Sequence, residues 1–277
     1  MMPHAVTSLW RYPIKSMAGE ELLTTQVTAR GLVGDRGYAL VDRSANKVAT
    51  VRTWGADLLK YRAEFVGEPQ RDSRLPAARI TTPESEVLIT THPDIDARLS
   101  AALGRRALTL MAQPPSNVLL EVPAGTLSGA YAATTDFPLG GAAPGTFFDY
   151  GAVHLIAAST IARLQSAHRT GRIDIRRFRP NIVVETDGEP FLENAWVGRT
   201  IALGEEVVLR VTIPCPRCVV TTLAQSDLPR DPAILRTIAD LNTRDLGDFG
   251  QLPCVGVYAD VVRAGTLRHG DTVRVTN

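Results

Sequence analysis

The stretch of sequence that decides the fold is IPCPRCVVTT at residues 213–222. Its first residue, Ile213, is the last residue of the run VVLRVTI at residues 207–213. This run is rich in β-branched residues and predicts a buried strand. Two prolines follow, and because proline cannot donate to a strand ladder, they predict that the strand ends there. Cys218 is then expected on a rigid turn beside the permanent positive charge of Arg217. Such a charge favours the thiolate, the form that attacks electrophiles or binds soft metals.

Four interpretations of Cys215 and Cys218 remain open at this point. Their spacing would suit a redox pair, but the βαβ context of thioredoxin-like motifs is missing around them. A structural zinc site needs four ligands, and Cys254 with the five histidines offers no second ligand pair at a credible spacing. Both cysteines could be small buried hydrophobes at a strand end. The fourth interpretation is a single thiolate at Cys218 that serves as a metal ligand or nucleophile, with Cys215 as packing.

Composition describes a globular chain without a strong electric field. The 277 residues are 44% hydrophobic, which is enough for a sizeable core in one large or two modest domains, and we favour two. A balance of 30 basic and 29 acidic residues gives no reason to expect nucleic acid or a membrane as partner. Three cysteines are an odd number for a disulfide framework. Residues 1–10 lack the pattern of a secretory signal, and no apolar run reaches the ~18–20 residues of a spanning helix. We therefore expect a cytoplasmic protein.

Short runs of β-forming residues joined by turns dominate the first ~110 residues, which predicts a meander or barrel interrupted by one short helix after Asp94. Two turns break this pattern, PIKS at residues 13–16 and GDRG at residues 34–37. In an antiparallel barrel such turns can lie at the same rim, so that Lys15 and Arg36 could hold one anion. Each cation alone is more often a solvated turn residue.

Two features stand out in the second half of the chain. Residues 122–148 are rich in Gly, Ala, Pro and Thr, which predicts a linker or a long loop. Further on, the arginine-rich run RRFRPN at residues 176–181 leads straight into the strand-like run IVV. An arginine at the start of a core strand needs a partner, either a ligand or a rim salt bridge to Asp35, Glu185 or Asp187. Between these features, HLI at residues 154–156 predicts a strand, with Ser159 or Thr160 capping the following helix.

Five motifs together carry a resemblance to a known family. They are PIKS at residues 13–16, GDR at 34–36, RFRPN at 177–181, CPRC at 215–218 with two threonines at 221–222, and GDTV at 270–273. They occur in the order found in MOSC-domain proteins. Nearly the full chain resembles the two-part architecture of the mitochondrial amidoxime reducing component and its bacterial YcbX-type relatives.

The resemblance implies a mainly β, α+β fold. An N-terminal β-barrel domain at residues 1–115 would pack on a mixed β-barrel MOSC domain at residues 116–277 with a few short helices. It also implies a molybdenum cofactor bound between the domains, with Cys218 as the protein thiolate on molybdenum and the catalytic residue. Pyridoxal phosphate binding is a further property linked with the family.

The family's cofactor ends in a phosphate, which would explain cations collected from distant parts of the chain. Lys15, Arg36 and Arg179 are the expected phosphate ligands, and Arg217 is a further candidate cofactor-binding residue. Candidate hydrogen-bonding partners of the phosphate and pterin are Ser16, Ser159, Thr160 and Asn181.

The reaction implied by the resemblance is two-electron reduction of N-hydroxylated compounds such as hydroxylamines and amidoximes. The sequence carries no ferredoxin-type cysteine segment after the last predicted strand, so we expect a separate electron-donor protein of the flavin or iron-sulfur reductase type. The alternative hypothesis is a non-catalytic sulfur carrier or molybdenum-cofactor handling protein, in which Cys218 carries a persulfide.

Overall fold

The computed structural model describes residues 4–51, 56–104, 107–115, 118–124, 133–138 and 146–276. The strands are β1 (His4–Arg11), β2 (Glu20–Leu22), β3 (Thr24–Thr28), β4 (Gly31–Leu32), β5 (Ala39–Asp42), β6 (Lys47–Val48), β7 (Arg62–Phe65), β8 (Ala78–Thr81), β9 (Val87–Ile89), β10 (Leu108–Met111), β11 (Leu119–Ala124), β12 (Ala133–Pro138), β13 (Val153–Ala157), β14 (Ile182–Glu185), β15 (Thr200–Leu203), β16 (Val207–Pro216), β17 (Thr243–Asp245), β18 (Gln251–Arg263), β19 (Gly265–Arg268) and β20 (Thr272–Thr276). The α-helices with described bounds are α1 (Ile95–Ala102), α2 (Ala158–Ala167) and α3 (Ala233–Leu241). The 3-10 helices are Ala56–Lys60, Ile175–Arg177, Leu192–Trp196, Val219–Thr222 and Gly247–Phe249.

A closed barrel of seven strands forms the centre of the described fold. Around the barrel the order is β13, β14, β1, β20, β15, β16 and β18, and β18 pairs back to β13. The β13 and β14 pair is parallel, and the other pairs around the barrel are antiparallel. Closure leaves no open edge among these seven strands. Fully buried aliphatic side chains fill the barrel, including Val6, Leu9, Leu155, Leu209 and Val257.

The N-terminal half adds smaller sheets around a second core. One sheet has the order β10, β5, β6, β11 and β12, and another has the order β7, β8 and β9. Leu40 and Ile80 of these sheets pack with Ile14, Met17 and Leu99 in one buried cluster, and other buried residues of β5 and β6 belong to a second, smaller cluster. The mainly β fold with two barrel-like parts and short helices is therefore confirmed.

Strands on both sides of residue 115 contribute to each part. Strand β1 belongs to the barrel that the C-terminal strands form, whereas β11 and β12 extend the sheet of β5 and β6. The division into residues 1–115 and 116–277 stays a prediction. Within the described residues, no helix combines the length and the apolar character that crossing a bilayer would require.

Three local expectations were wrong. The prolines do not end the strand before Cys215: β16 runs to Pro216, and its pairing with β18 shifts register at Pro214 and Pro216. Bulges of this kind tolerate proline because its missing N–H is not needed for the ladder.

The predicted loop at residues 122–148 contains the β11 and β12 hairpin, which the low periodicity of its Gly, Ala, Pro and Thr residues concealed. Residues 125–132 and 139–145 of that segment lie outside the described residues. Helix α2 begins at Ala158 without a side-chain cap, so neither Ser159 nor Thr160 caps it.

Candidate functional site

The site is built around the ring of Tyr12, which follows directly after β1 and is buried. Two guanidinium groups lie over this ring: the Cζ of Arg36 is 4.6 Å from its centre and the Cζ of Arg179 is 4.2 Å away. The backbone of Tyr12 donates to Asp35 Oδ1 (2.8 Å), and its hydroxyl donates to the carbonyl of Pro180 (3.0 Å). One aromatic ring therefore joins the N-terminal turns to the arginine-rich segment, and two cations contact it.

The two arginines differ in how their charges are balanced. Arg36 forms an ion pair with the buried Asp35, whose carboxylate also accepts a hydrogen bond from Asn181 Nδ2 (2.9 Å). Burial disfavours the charge of Arg36, but Asp35 outweighs this effect and raises the pKa of the guanidinium. In the described part of the chain, no carboxylate forms an ion pair with Arg179, which donates instead to the carbonyl of Met17 (2.7 Å). The site therefore carries an unbalanced positive charge.

Burial, together with the repulsion from Arg36, lowers the pKa of Arg179 to about 10. The side chain is still protonated at neutral pH, but its charge is destabilised by the fold. A partly buried cation of this kind becomes more favourable when an anion binds beside it. The arrangement can therefore bind a phosphate or a similar group.

Cys218 lies two residues after the end of β16. It is the N-cap residue of the 3-10 helix Val219–Thr222, and its carbonyl accepts hydrogen bonds from the amide (3.2 Å) and hydroxyl (3.0 Å) of Thr221. These bonds fix the backbone and leave the thiol partly exposed. Cys215 and Cys254 are fully buried. Cys218 is therefore the cysteine that a ligand can reach.

The side chain of Arg217 turns back from Cys218 into the protein. Its Nη1 donates to Cys215 Sγ (2.9 Å) and its Nη2 donates to the carbonyl of Phe178 (2.8 Å). Burial disfavours the charge of this guanidinium, but the nearby Cys215, Tyr258 and Cys218 side chains raise its pKa. The side chain of Arg217 thus links the CPRC segment to the segment before Arg179.

Two further groups near the site have pKa values set by burial. Burial, with Arg217 as the next cause, lowers the pKa of His154 to about 3, so this imidazole is neutral at physiological pH. Its Nδ1 lies 3.4 Å from the carbonyl of Arg179 and its Nε2 lies 3.2 Å from that of Val255. Burial also raises the pKa of Cys254 to about 12, so its thiol stays protonated and donates to the carbonyl of Leu252 (3.3 Å).

The segment at residues 147–150 lies along the site and was missed by sequence reasoning. Lys15 Nζ donates to the carbonyl of Phe147 (2.6 Å) and pairs with Asp149 Oδ1 (2.7 Å). The Cζ of Arg36 lies 5.7 Å from the ring centre of Phe148. The half-exposed ring of Tyr150 packs 5.5 Å from that of Tyr258. Phe147 and Phe148 lie at the end of the predicted loop at residues 122–148, Asp149 and Tyr150 follow it, and no sequence pattern pointed to any of them.

Six of the eight predicted cofactor-binding side chains lie in this region: Lys15, Ser16, Arg36, Arg179, Asn181 and Arg217. The hydroxyl of Ser16 has no hydrogen-bond partner within the described residues, and Ser16 lies next to Met17, which accepts from Arg179. The side chain of Asn181 donates a hydrogen bond to Asp35, and that of Arg217 donates to the carbonyl of Phe178 and to Cys215 Sγ.

Ser159 and Thr160 do not join this group. Ser159 Oγ lies 2.8 Å from Thr186 Oγ1 and donates to the carbonyl of Glu189 (2.7 Å). Thr160 is fully buried and donates to Glu193 Oε2 (2.8 Å). Both hydroxyls follow the C-terminal end of β13, whereas His154, which contacts Arg179, is near the beginning of that strand.

Three residues of the same region have a left-handed backbone conformation. Ser16, Arg36 and Arg179 have φ angles of 70°, 45° and 54°, the left-handed conformation that side chains other than glycine seldom adopt. Residues held in this way need surrounding contacts that enforce the conformation, and they are often found at binding sites. No sequence pattern reveals these three angles, although each residue lies in a motif that the sequence singled out.

Among the described residues, no group of three or more His, Cys, Asp or Glu side chains could enclose a metal ion. The site combines the partly exposed Cys218 with partly buried arginines at the rim of the closed β-barrel. These features define a β-barrel protein with a partly exposed cysteine and a cluster of arginines around one tyrosine ring.

Comparisons with known proteins agree with that class. A MOSC N-terminal beta barrel domain matches residues 4–101, and a MOSC domain matches residues 144–274. The chain belongs to the MOSC-domain proteins that carry the N-terminal beta barrel domain.

The curated relatives are amidoxime reducing components. The chain is 24% identical to the mitochondrial amidoxime reducing component 2 of Bos taurus over 287 residues, covering 97% of this chain and 82% of that protein. The match to the protein of the same name from Rattus norvegicus is 30% identical over 131 residues, covering 45% of this chain and only 37% of the rat protein. The solved YUAD protein of Bacillus subtilis matches with 13% identity and a TM-score of 0.47, covering 99% of this chain and 96% of that one.

Proposed function

We propose that this protein is a molybdenum-cofactor-dependent oxidoreductase that reduces N-hydroxylated compounds such as hydroxylamines and amidoximes. The observation that carries the proposal is the link through Arg217 between the CPRC segment, with its partly exposed Cys218, and the segment of Arg179, a cation with no carboxylate partner among the described residues. The names of the relatives, amidoxime reducing components, support the reaction class.

The side chains present fit a cofactor that combines a soft metal with a phosphate. Cys218 would supply the thiolate, the type of ligand that suits a soft metal centre. Arg36 and Arg179 would hold the phosphate, because guanidinium groups bind phosphate through paired hydrogen bonds. The Ser16 hydroxyl, without a partner in the described structure, would complete the polar contacts.

The chemistry that the cofactor supplies when bound is two-electron reduction with acceptance of an oxygen atom. The protein's part is to orient the reacting groups and to control charge and protons. Neutral His154 is not a proton donor at physiological pH, because its pKa is about 3. Burial also raises the pKa of Tyr258, which therefore keeps its phenolic proton.

Electrons would come from a separate donor protein of the flavin or iron-sulfur reductase type. The proposal includes a cytoplasmic location, and the near-neutral balance of 30 basic and 29 acidic residues gives no reason to expect nucleic-acid or membrane partners. Fractionation of cells that produce the full chain tests the location. A signal in the membrane fraction that resists salt washing would contradict it.

Metal content and turnover test the proposal together. The full-length chain is produced in a host that makes molybdenum cofactor, and molybdenum is measured in the wild type and in Cys218→Ser. We expect about one molybdenum per wild-type chain and reduction of benzamidoxime by the chemically reduced protein. Cys218→Ser should lose turnover, and equal turnover in both proteins would contradict the ligand assignment. Cys254→Ala is the matched control, because this buried thiol cannot reach a ligand.

The same samples separate the alternative hypothesis. A sulfur carrier or cofactor-handling protein would contain no stoichiometric molybdenum, and mass spectrometry would show a persulfide on Cys218. Pyridoxal phosphate, the other phosphate-bearing cofactor linked with the family, would be recognised by its absorption spectrum.

A further inference from the structure

The hydrogen bonds that Arg217 donates in the described structure all go to buried residues. Its two terminal nitrogens donate to fixed partners inside the protein, Cys215 Sγ and the carbonyl of Phe178. Its guanidinium also lies 5.6 Å from the ring centre of Phe178. The Nε atom is buried without a partner in the described structure. This side chain therefore acts as an internal bridge between the CPRC segment and the segment before Arg179.

The far end of the bridge is a strained backbone. Arg179 has a φ of 54°, and because a left-handed backbone is unfavourable for residues other than glycine, its neighbours must hold it. The Arg179 carbonyl lies 3.4 Å from His154 Nδ1 and accepts from Arg36 Nη2 (3.4 Å). Tyr12 holds the next carbonyl, that of Pro180. On the other side of Arg179, Arg217 holds the carbonyl of Phe178.

We propose that Arg217 is a positioning residue for the anion site: anchored on Cys215, it holds the Phe178–Arg179 peptide so that the Arg179 guanidinium lies over Tyr12. The CPRC segment then positions both reactive parts of the site, the Cys218 thiol directly and the anion-binding guanidinium through Arg217. The sequence-based assignment of Arg217 as a direct cofactor ligand is replaced by this indirect role. The proposal rests on the proposed function only in taking the ligand of Arg179 to be an anion.

The choice of arginine over lysine follows from this role. A planar guanidinium can donate to two partners in different directions, whereas an ammonium group on a flexible chain keeps the charge but not this fixed fork. Arg217→Lys therefore separates charge from geometry. If Arg217 acted only through its positive charge, the lysine variant would retain the function.

The position of Arg179 can be measured without any cofactor. In full-length protein with isotopically labelled arginine, the Arg179 side-chain NMR signal is displaced by the Tyr12 ring and is assigned by its loss in Arg179→Lys. We expect Arg217→Lys to move this signal towards the value of an exposed arginine. We also expect it to weaken the binding of inorganic phosphate, measured by calorimetry, by about tenfold.

Arg177→Lys is the matched control. Arg177 is fully buried and donates to the carbonyls of Arg172, Thr221, Leu223 and Pro229, so its loss should lower the melting temperature without moving the Arg179 signal. If Arg217→Lys does not fold, Cys215→Ala removes the anchor instead and should move the signal in the same direction.

The outcomes distinguish the two proposals. An unmoved Arg179 signal in Arg217→Lys, or an equal shift in Arg177→Lys, overturns the positioning role. A moved signal in a protein whose wild type binds no phosphate supports the positioning role and counts against the proposed anion site.

Discussion

Arg11 and Arg179 are both arginines packed at the end of β1, but the fold treats their charges in opposite ways. Arg11 is fully buried and pairs with Glu20 (2.8 Å) and Glu68 (2.8 Å). Arg179 contacts the ring of the next residue, Tyr12, and has no carboxylate partner in the described structure. A paired arginine holds the fold together, whereas an unpaired one leaves charge for a ligand.

The pKa directions express the same contrast. Burial disfavours both charges, yet Glu68 and Glu20 outweigh it and raise the pKa of Arg11. For Arg179 burial prevails, with Arg36 adding repulsion, and the pKa falls to about 10. The difference teaches that burial and residue type alone do not identify a binding arginine. A binding arginine is identified by the absence of neighbouring carboxylates that pair with it in the described structure.

The largest expected effect comes from breaking the paired arginine. Arg11→Met leaves Glu20, which is 13% exposed, without its cation, and we expect a loss of about 3 kcal/mol in the free energy of unfolding. Urea denaturation measures this loss. The double variant Arg11→Met with Glu20→Gln should recover part of it, because no buried charge is then left unpaired. A loss below about 1 kcal/mol for the single variant would contradict the contrast.

A buried acid without a cation extends the comparison to negative charge. Glu193 is 1% exposed, and its Oε1 has no hydrogen-bond partner in the described structure. Burial raises its pKa from 4.5 to about 7, although the Thr160 hydroxyl and nearby backbone amides act in the opposite direction. Because the folded state binds this proton more tightly, stability is highest below pH 4.5 and falls as the pH rises through about 7.

The expected decrease between pH 4.5 and pH 7 is about 2–3 kcal/mol from this group, and Glu193→Gln should remove most of it. The free energy of unfolding of the wild type and the variant is compared at pH 5 and pH 8. Glu84→Gln is the control, because it removes a carboxylate at an exposed position. A wild-type pH slope that Glu193→Gln leaves intact would show that the buried acid is not its source.

The unpaired arginine should matter for binding and little for stability. Arg179→Gln removes a charge that the fold disfavours, so we expect the free energy of unfolding to change by less than about 1 kcal/mol. Calorimetry should show at least about tenfold weaker binding of inorganic phosphate, since a guanidinium contact to phosphate is lost. Arg199→Gln, at an exposed position of the same barrel, controls for the change in net charge. Unchanged phosphate affinity in Arg179→Gln would remove this arginine from the site.

Sequence reasoning could reach the chemical groups of the site but not their arrangement. The CPRC, GDR and RFRPN motifs pointed to Cys218, Arg36 and Arg179, because these residue types at turns and strand ends suit sulfur and phosphate chemistry. The mainly β fold followed from period-two patterns and turn residues. The ring of Tyr12 and the segment at residues 147–150 had no pattern of their own, since contacts between distant parts of the chain give them their role.

Ser159 and Thr160 were predicted for the site but do not lie in it, which shows what sequence reasoning could not decide. Hydroxyls after a strand and before a helix are typical of phosphate sites, but here both are engaged by neighbouring residues. Which hydroxyls are left unpaired is decided by tertiary packing, and the sequence does not contain that information locally. The inward turn of Arg217 is hidden for the same reason.

The smallest expected effect concerns Asp149, whose side chain is 53% exposed and pairs with Lys15. This carboxylate lies on the edge of the anion site, where it partly offsets the positive charge and acts on the pKa of Arg179. Asp149→Asn removes a competitor for Lys15 and should tighten phosphate binding by about fivefold at low salt, with a smaller gain at high salt because exposed charges are screened. Calorimetry at two salt concentrations measures both gains. Unchanged affinity would mean that Lys15 only ties the segment at residues 147–150 to the N-terminal turn, and that the arginines alone hold the anion.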